Sequence, residues 1–501
     1  MIDKTVIILG GGTAGLISAL MTREKYPHTH IVIIKSKEIG IIGVGEGSTE
    51  HWRMFMDYVN IKKNELIAQT DATIKIGILF SNWNGDGKEY VHSIVTDHNF
   101  TGLNRIDLLK MLHCNSTKKF KTSPYFEETF YKNNIPIDAN LNPSNQYHFD
   151  TFKLNEFLLR ECRRRNIGVV DTNIVDVNLN EDGSIKEVVA EDTRVYEGDF
   201  FIDCSGFKRV LSNKLGLKWK SYTDYLPLNR AIAFPTEHKT DNYEPYTLSA
   251  SMENGWLWRI PTQQRYGNGY VFSDQFTDSD KAMNEASKYL GVNLEKVARD
   301  IKFEAGKLEK FWHKNMLSVG LSGSFCEPLE AQSIGFTIMQ SFAFVDSLEQ
   351  WFYNKEYVEK AYNRIMDDSY QNVVDYLQLH YFCQRKDTDF WNNVEMKTTE
   401  FNAETYNIFA NGYCDPFLFE DKKYWMFKAM NFFQVYSGLE LIDTAKMTAN
   451  FSNNLDNYNK ELFDRVQLYN DKMVTPLMIR HSDAMRSIKQ YHANNKHLNN
   501  V

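Results

Sequence analysis

Residues 5–35 read TVIILGGGTAGLISALMTREKYPHTHIVIIK, and the order of their parts decides the fold. Thr5–Leu9 is a short apolar run rich in β-branched residues, the signature of a parallel strand buried on both faces. Gly10, Gly12 and Gly15 then spell G-x-G-x-x-G, residues 14–24 carry a helical pattern, and His30–Lys35 reads as a second strand. The whole has the length and order of a dinucleotide-binding βαβ unit. The first glycine permits a tight turn, the second lets backbone approach a pyrophosphate, and the third lets helix pack on strand. Phosphates would sit at the helix N-terminus, at Gly10, Gly12, Thr13, Ala14 and Gly15. The alternative is a glycine-rich turn with no ligand. At the end of the second strand, where an acidic residue would hold ribose hydroxyls, stands Lys35, followed by Ser36, Lys37 and Glu38. Either Ser36 or Glu38 substitutes, or the adenosine end is held loosely.

The chain of 501 residues is long enough for about three domains or one elaborated domain. Hydrophobic residues at 43% and charged residues at 24% are ordinary for a globular chain with a sizeable core. A net charge of −8 and the lack of a basic block argue against a nucleic-acid or anionic-membrane partner. Cys114, Cys162, Cys204, Cys326, Cys383 and Cys414 form no C-x-x-C pair, so neither a zinc ribbon nor a disulfide framework is expected. No metal site is expected either, and His28 and His30 read as surface loop. The N-terminus reads as a strand rather than a signal peptide, and no apolar run reaches the ~18 residues of a membrane helix. A soluble, cytoplasmic protein is expected.

Beyond the first unit, strand-like runs (72–80, 171–179, 194–206) alternate with helical ones (155–165). After residue 336 the pattern changes to long helical periodicity. This predicts an α/β module over 1–335, with mixed sheets, and a mainly helical module over 336–501 packed on it.

Six further segments bear on function. Residues 42–49 (IGVGEGST) form a second glycine-rich loop, and 255–261 (GWLWRIP) place Trp256 and Trp258 on one strand face, by themselves a core or cross-strand aromatic pair. In 72–83 (ATIKIGILFSNW), Ile74, Ile76, Ile78 and Phe80 share one face, leaving Thr73, Lys75, Gly77 and Leu79 opposite. A lysine so placed is ordinarily solvated, although Gly77 beside it points to close packing or ligand approach. The others are 201–211 (FIDCSGFKRVL), 320–336 (GLSGSFCEPLEAQSIGF) and 379–391 (LHYFCQRKDTDFW). With the N-terminal fingerprint, these ordered segments resemble the flavin-dependent halogenases, the tryptophan halogenase group.

The resemblance implies an FAD-binding Rossmann-like fold of the aromatic hydroxylase type, with the substrate sheet also in 1–335. It implies that Gly10, Gly12, Thr13, Ala14, Gly15, Ser36, Gly43, Val44, Gly45, Glu46, Asp203, Leu321 and Ile334 line the cofactor. Reduced FAD and oxygen would oxidise halide to hypohalous acid. Trp256 and Trp258 would shield the flavin, and Lys75 would form a haloamine or polarise the acid, burial favouring the neutral amine. Glu330 would take the ring proton. Backbone amides at Gln332 and Ser333 would bind halide; the family's serine before them is here Ala331. With only one dinucleotide fingerprint, a separate flavin reductase is implied, and a homodimer is plausible by resemblance. The substrate would be an electron-rich small aromatic: an indole, a phenol or a related heteroaromatic. An FAD-dependent aromatic monooxygenase or a non-catalytic flavoprotein stands as the alternative. His92 would line the substrate cavity or be a satisfied histidine.

Overall fold

The computed structural model describes residues 4–38, 40, 46–93, 127–136, 146–294, 298–411, 424–450, 468, 472 and 475–495. Contacts between residues divide the chain into two compact units. One comprises Met1–Thr70, Phe149–Thr223 and Phe303–Gln371; the other comprises Asp71–His148, Asp224–Lys302 and Asn372–Val501.

The first unit is built on the βαβ element. Thr5–Leu9 is central in a six-stranded sheet, flanked by His30–Lys35 and Phe200–Asp203, with Gly168–Asp171 and Met316–Ser318 beyond them. These five strands run parallel, and Trp312–His313 adds a short antiparallel edge. Parallel strands bury both faces, and Ile7, Leu9, Val32, Ile34 and Phe201 accordingly share one core cluster. The crossover helix Thr13–Lys25 and the helix Thr151–Arg164 pack together. Asp150 starts the second of these by accepting hydrogen bonds from the Phe152 and Lys153 amides, both at 3.1 Å. Further along, Asn155 donates its side-chain amide to the Gly11 carbonyl at 2.7 Å, tying that helix to the glycine loop.

The second unit holds a seven-stranded mixed sheet. Its order is Arg299–Lys302, Arg230–Thr236, Tyr266–Phe272, Gly255–Pro261, Tyr246–Met252, Gly77–Ser81, Glu89–Ser93. Only Tyr246–Met252 against Gly77–Ser81 is parallel. The helix Ser279–Leu290 covers one face with Ala282, Ala286 and Leu290 against Ile232, Leu257 and Tyr270.

From Gln332 onward the described elements are helices and short helical turns apart from the strand Met478–Arg480. The compact units cut across this change, each drawing residues from both sides of it. Parallel strands and their crossovers gather segments distant in sequence, so compactness does not follow chain order. No described helix is long and apolar enough to cross a membrane.

Asp203 ends its strand fully buried. Its carboxylate accepts from the Ser205, Leu211 and Ser212 amides and the Ser205 and Ser212 hydroxyls, at 2.6–3.0 Å. Asp203→Ala leaves the buried Leu211 and Ser212 amides unpaired, at about 1–3 kcal/mol each. A loss of about 3 kcal/mol or more is expected in denaturant unfolding.

Candidate active site

The nucleotide end is assembled by close approach. Gly10 has φ +125°, and a Cβ there would lie 2.1 Å from the Cys204 carbonyl oxygen. A Cβ on Gly15 would lie 2.0 Å from the Gly10 carbonyl oxygen, and one on Gly11 would lie 2.6 Å from Lys35 Cβ. At Gly12 a Cβ would meet nothing within 4 Å. Gly12 is also the N-cap of the helix Thr13–Lys25, which has no side-chain cap and no acidic residue in its first turn. The helix therefore presents its first amides to open space, the arrangement that accepts a phosphate. Gly320, at φ +70°, brings the turn Gly320–Ser322 with Leu321 against that same first turn, a Cβ there lying 2.7 Å from Ala14 Cβ.

Ser36 follows the second strand, half-buried. Lys35 is paired across the sheet with Asp171, and Asp171 also accepts from the Lys37 amide at 3.0 Å. The end of the second strand is thus fixed by a carboxylate of the neighbouring strand, which Lys35 and Lys37 engage. One carboxylate oxygen of Glu46 is buried with no hydrogen-bond partner among the described residues, and burial pushes this carboxyl up to about 7. The open cradle at Gly12 and this orphaned oxygen fit a dinucleotide such as FAD. Gly43, Val44 and Gly45 lie outside the described residues. Asp203 shapes the site by holding Cys204, as its oxygens are taken up by its own loop.

In the same unit, Glu330 and Ala331 stand consecutively in the left-handed region, φ 65° and 54°, just before the helix Gln332–Tyr353. Each such residue costs about 1–3 kcal/mol and persists only where its surroundings enforce it. Ala331 is the N-cap and makes no side-chain cap, so its missing hydroxyl leaves the amides of Ser333 and Ile334 uncapped by it. Glu330, Gln332 and Ile334 are buried, and Gln332 donates its side-chain amide to the Glu327 carbonyl at 3.2 Å.

In the second unit, the run 72–80 is not one strand. Thr73–Lys75 pairs with Gln146–Phe149, whereas Gly77–Ser81 belongs to the large sheet. The break falls at Ile76, whose amide donates to the Pro245 carbonyl at 2.7 Å. Both expected faces are consequently buried: Lys75 is 1% exposed, beside Thr73 at 0% and Ile74 at 1%. The lysine is not solvated. Gly77 answers to packing, since a Cβ there would lie 2.9 Å from the His92 carbonyl oxygen.

Two histidines frame this strand. The Thr73 hydroxyl donates to the Pro261 carbonyl at 2.6 Å and so accepts from His148 Nδ1 at 3.1 Å, leaving His148 Nε2 to accept from Thr247 at 2.9 Å. His481 Nε2 accepts from the Ile74 amide at 3.2 Å. Burial, then the Lys75 and His481 charges, hold His148 well below the usual histidine range; burial brings His481 down to about 4. Sequence reasoning missed both, because neither lies in a motif: strand pairing brings His148, and the C-terminal helix brings His481, to the strand that carries Lys75.

Trp256 and Trp258 are both buried, ring centroids 5.9 Å apart, with Trp258 Nε1 lacking a hydrogen-bond partner among the described residues. Trp258 lies across Gly269, where a Cβ would meet its ring at 2.1 Å. His92 is satisfied on both nitrogens, by Tyr376 at 3.0 Å and Asn431 at 2.9 Å. An open cleft of about 1420 Å³ in the first unit involves none of these residues; it is lined by Lys4, Asp199, Asn315 and Trp351, among others.

Comparison with known proteins gives consistent findings. A family model described as tryptophan halogenase matches residues 5–453. A tryptophan 6-halogenase of Streptomyces albogriseolus is 31% identical over 437 residues, 80% of this chain and 82% of that protein. A tryptophan 7-halogenase of Lentzea aerocolonigenes is 28% identical over 485 residues, 89% and 91% of the two. In fold, the chain is similar to the solved structure of a tryptophan C-6 flavin-dependent halogenase from taromycin biosynthesis. The TM-score is 0.88 at 23% identity, covering 97% of this chain and 100% of the other.

Two outcomes are expected. Gly12→Ala should leave thermal unfolding of the free protein within about 1 °C, since the Cβ meets open space, yet weaken FAD about tenfold or more by flavin fluorescence titration. His481 takes up its proton more readily unfolded (usual value 6.5) than folded (about 4). The stability it contributes is therefore complete above about pH 6.5 and lost as pH falls towards 4, on the order of 3 kcal/mol. Denaturant unfolding at pH 7.5 and 4.5 should show a smaller drop for His481→Gln than for the wild type.

Proposed function

The chain belongs to the tryptophan halogenase family and is an FADH2- and O2-dependent enzyme that halogenates aromatic substrates, and on that premise we propose that Lys75 delivers the halogen. Bound FAD, reduced, supplies with O2 the oxidising power that turns halide into hypohalous acid. The observation that carries the role of Lys75 is its burial in a place where its strand pattern predicts a solvated lysine. A buried, strongly hydrated amine is expensive to keep and is retained where chemistry requires it. Its nitrogen either hydrogen-bonds hypohalous acid, polarising the oxygen–halogen bond, or displaces water from it: a nitrogen–halogen bond forms, the oxygen–halogen bond breaks, and the amine proton leaves with hydroxide as water.

Glu330 is proposed as the base that takes the ring proton after halogen addition; an ordinary carboxylate suffices, because that ring cation is strongly acidic. The amides of Gln332 and Ser333, at an uncapped helix start, are proposed to hold halide. Trp256 and Trp258 are proposed to keep bulk water and substrate from the flavin. Gly10, Gly12, Thr13, Ala14, Gly15, Ser36, Gly43, Val44, Gly45, Glu46, Leu321 and Ile334 are proposed to line FAD, with Asp203 fixing the adjoining turn.

The substrate proposed is an indole, a phenol or a related heteroaromatic, in keeping with relatives named for positions 6 and 7 of tryptophan. One dinucleotide fingerprint supports a separate flavin reductase as the source of reduced FAD. A cytoplasmic homodimer completes the proposal.

The test is mass spectrometry of reactions with FAD, NADH, a flavin reductase, bromide and a panel of indoles, phenols and heteroaromatics. Brominated product is expected from the wild type, and about 10³-fold less from Lys75→Ala that folds and binds FAD normally. Undiminished bromination by Lys75→Ala sinks the lysine reading, while oxygenated product without halogen sinks halogen delivery altogether.

A further inference from the structure

We propose that His481, the first residue of the C-terminal helix His481–Asn494, is a positioning residue for Lys75, holding the lysine strand through the amide of Ile74. The inference rests on the reading of Lys75 as the halogen-delivering residue. It concerns a segment outside residues 5–453, the stretch that the family model matches.

The hydrogen bonds assign the proton. His481 Nδ1 lies 3.3 Å from the Tyr243 carbonyl oxygen, which only accepts, so Nδ1 carries hydrogen. Nε2 lies 3.2 Å from the Ile74 amide, which only donates, so Nε2 carries none. The ring is therefore the neutral Nδ1–H tautomer. An imidazolium has a donor on both nitrogens and leaves the Ile74 amide without an acceptor. The fully buried ring, packed edge-on to Tyr243 at 5.1 Å between centroids, is out of reach of bulk solvent. The low protonation tendency already noted agrees with this geometry.

Why the strand needs such a grip follows from its position. Among the described residues, Thr73–Lys75 is a three-residue strand at the edge of its sheet, with a neighbouring strand, Gln146–Phe149, on one side. Its outward amide at Ile74, next to Lys75, would otherwise be a buried donor away from bulk solvent. The same helix takes a second hold. Lys489 bonds the Asp71 carboxylate at 2.7 Å, and Asp71 stands at φ 52° just ahead of the strand. The Asp71 carbonyl accepts from the Gln263 amide at 3.0 Å, so this end too is tied to its unit. One helix thus clamps the chain at Asp71 and at Ile74, on the approach to the lysine. A lysine carried on a three-residue edge strand inherits any slack in that strand, and an ångström of misplacement costs about 10²-fold in rate.

The test compares full-length His481→Phe, which removes the acceptor, with His481→Gln, whose amide offers an acceptor and a donor, and with Lys75→Ala. Hydrogen exchange of the peptide containing Ile74 is followed by mass spectrometry. Turnover and KM are measured with bromide and free tryptophan, indole and phenol as probes, and FAD affinity by fluorescence. In His481→Phe we expect at least tenfold faster exchange at Ile74 and a kcat about 30- to 100-fold lower, with KM and FAD affinity within about twofold. His481→Gln should rescue both exchange and kcat. Turnover kept while Ile74 loses protection, or turnover lost while Ile74 stays protected, overturns the proposal; should His481→Phe fail to fold, the Gln variant is judged by the same rule. If Lys75→Ala halogenates normally, the reading of Lys75 fails instead. If Lys75→Ala is inactive while His481→Phe keeps wild-type kcat, only the role of His481 falls.

Discussion

The buried carboxylate of Asp203 is the constraint on which the nucleotide-binding unit turns. A fully buried anion persists only where donors replace its lost hydration, and here five do so, from Ser205, Leu211 and Ser212. They fold the chain sharply after Phe200–Asp203 and set the Cys204 carbonyl against Gly10, leaving no space for a side chain there. The Cys204 amide in turn donates to the Leu9 carbonyl at 2.8 Å, so the ends of two parallel strands are locked together. The shape of the glycine loop thus depends as much on a carboxylate far along the chain as on its own glycines. With Gly10 held in this way and Gly15 packed beneath it, Gly12 is left as the open position at the helix start.

The second unit solves the opposite electrostatic problem, a buried cation-forming group. Two imidazoles stand within electrostatic reach of one another, and one of them of Lys75, so protonation of either would add a positive charge to a poorly screened region. Hydrogen bonding keeps both neutral by arranging which neighbour donates. Thr247 gives its proton to His148, which gives its own to Thr73, which gives its own to the Pro261 carbonyl. His481 receives from Ile74 and gives to Tyr243. Each chain ends on a carbonyl, which never donates, so the direction of every bond is determined.

How far this was legible in the sequence depended on whether the cause was local. The βαβ unit was readable because β-branched runs and glycine spacing act within a few residues. The tryptophan pair was also readable, as alternate residues of a strand share a face. The fate of Lys75 was not. Period-2 reasoning assumed one continuous strand with a wet face, whereas the run changes sheets at Ile76 and is dry on both. Nothing between residues 72 and 80 signals that Pro245 takes the Ile76 amide or that a C-terminal helix covers the edge at Ile74. Asp171 is a similar case: the carboxylate that pairs with Lys35 comes from a strand that only parallel pairing makes its neighbour.

The departure at Ala331 acquires a meaning from backbone geometry. An N-cap serine would turn its hydroxyl back onto the second or third amide of the helix, worth about 1 kcal/mol to the helix. Alanine forgoes that bond and in addition stands, with Glu330, in a conformation that disfavours a side chain. A chain under selection for stability alone would relieve both costs, with serine or asparagine at the cap or glycine at the left-handed residues. Glu330 and Ala331 thus carry a local cost directly before the helix, whose Ser333 and Ile334 amides the Ala331 side chain leaves uncapped. The helix that follows packs inward through Phe336, Ile338, Phe344, Val345 and Leu348, so the strained pair is anchored to a buried element.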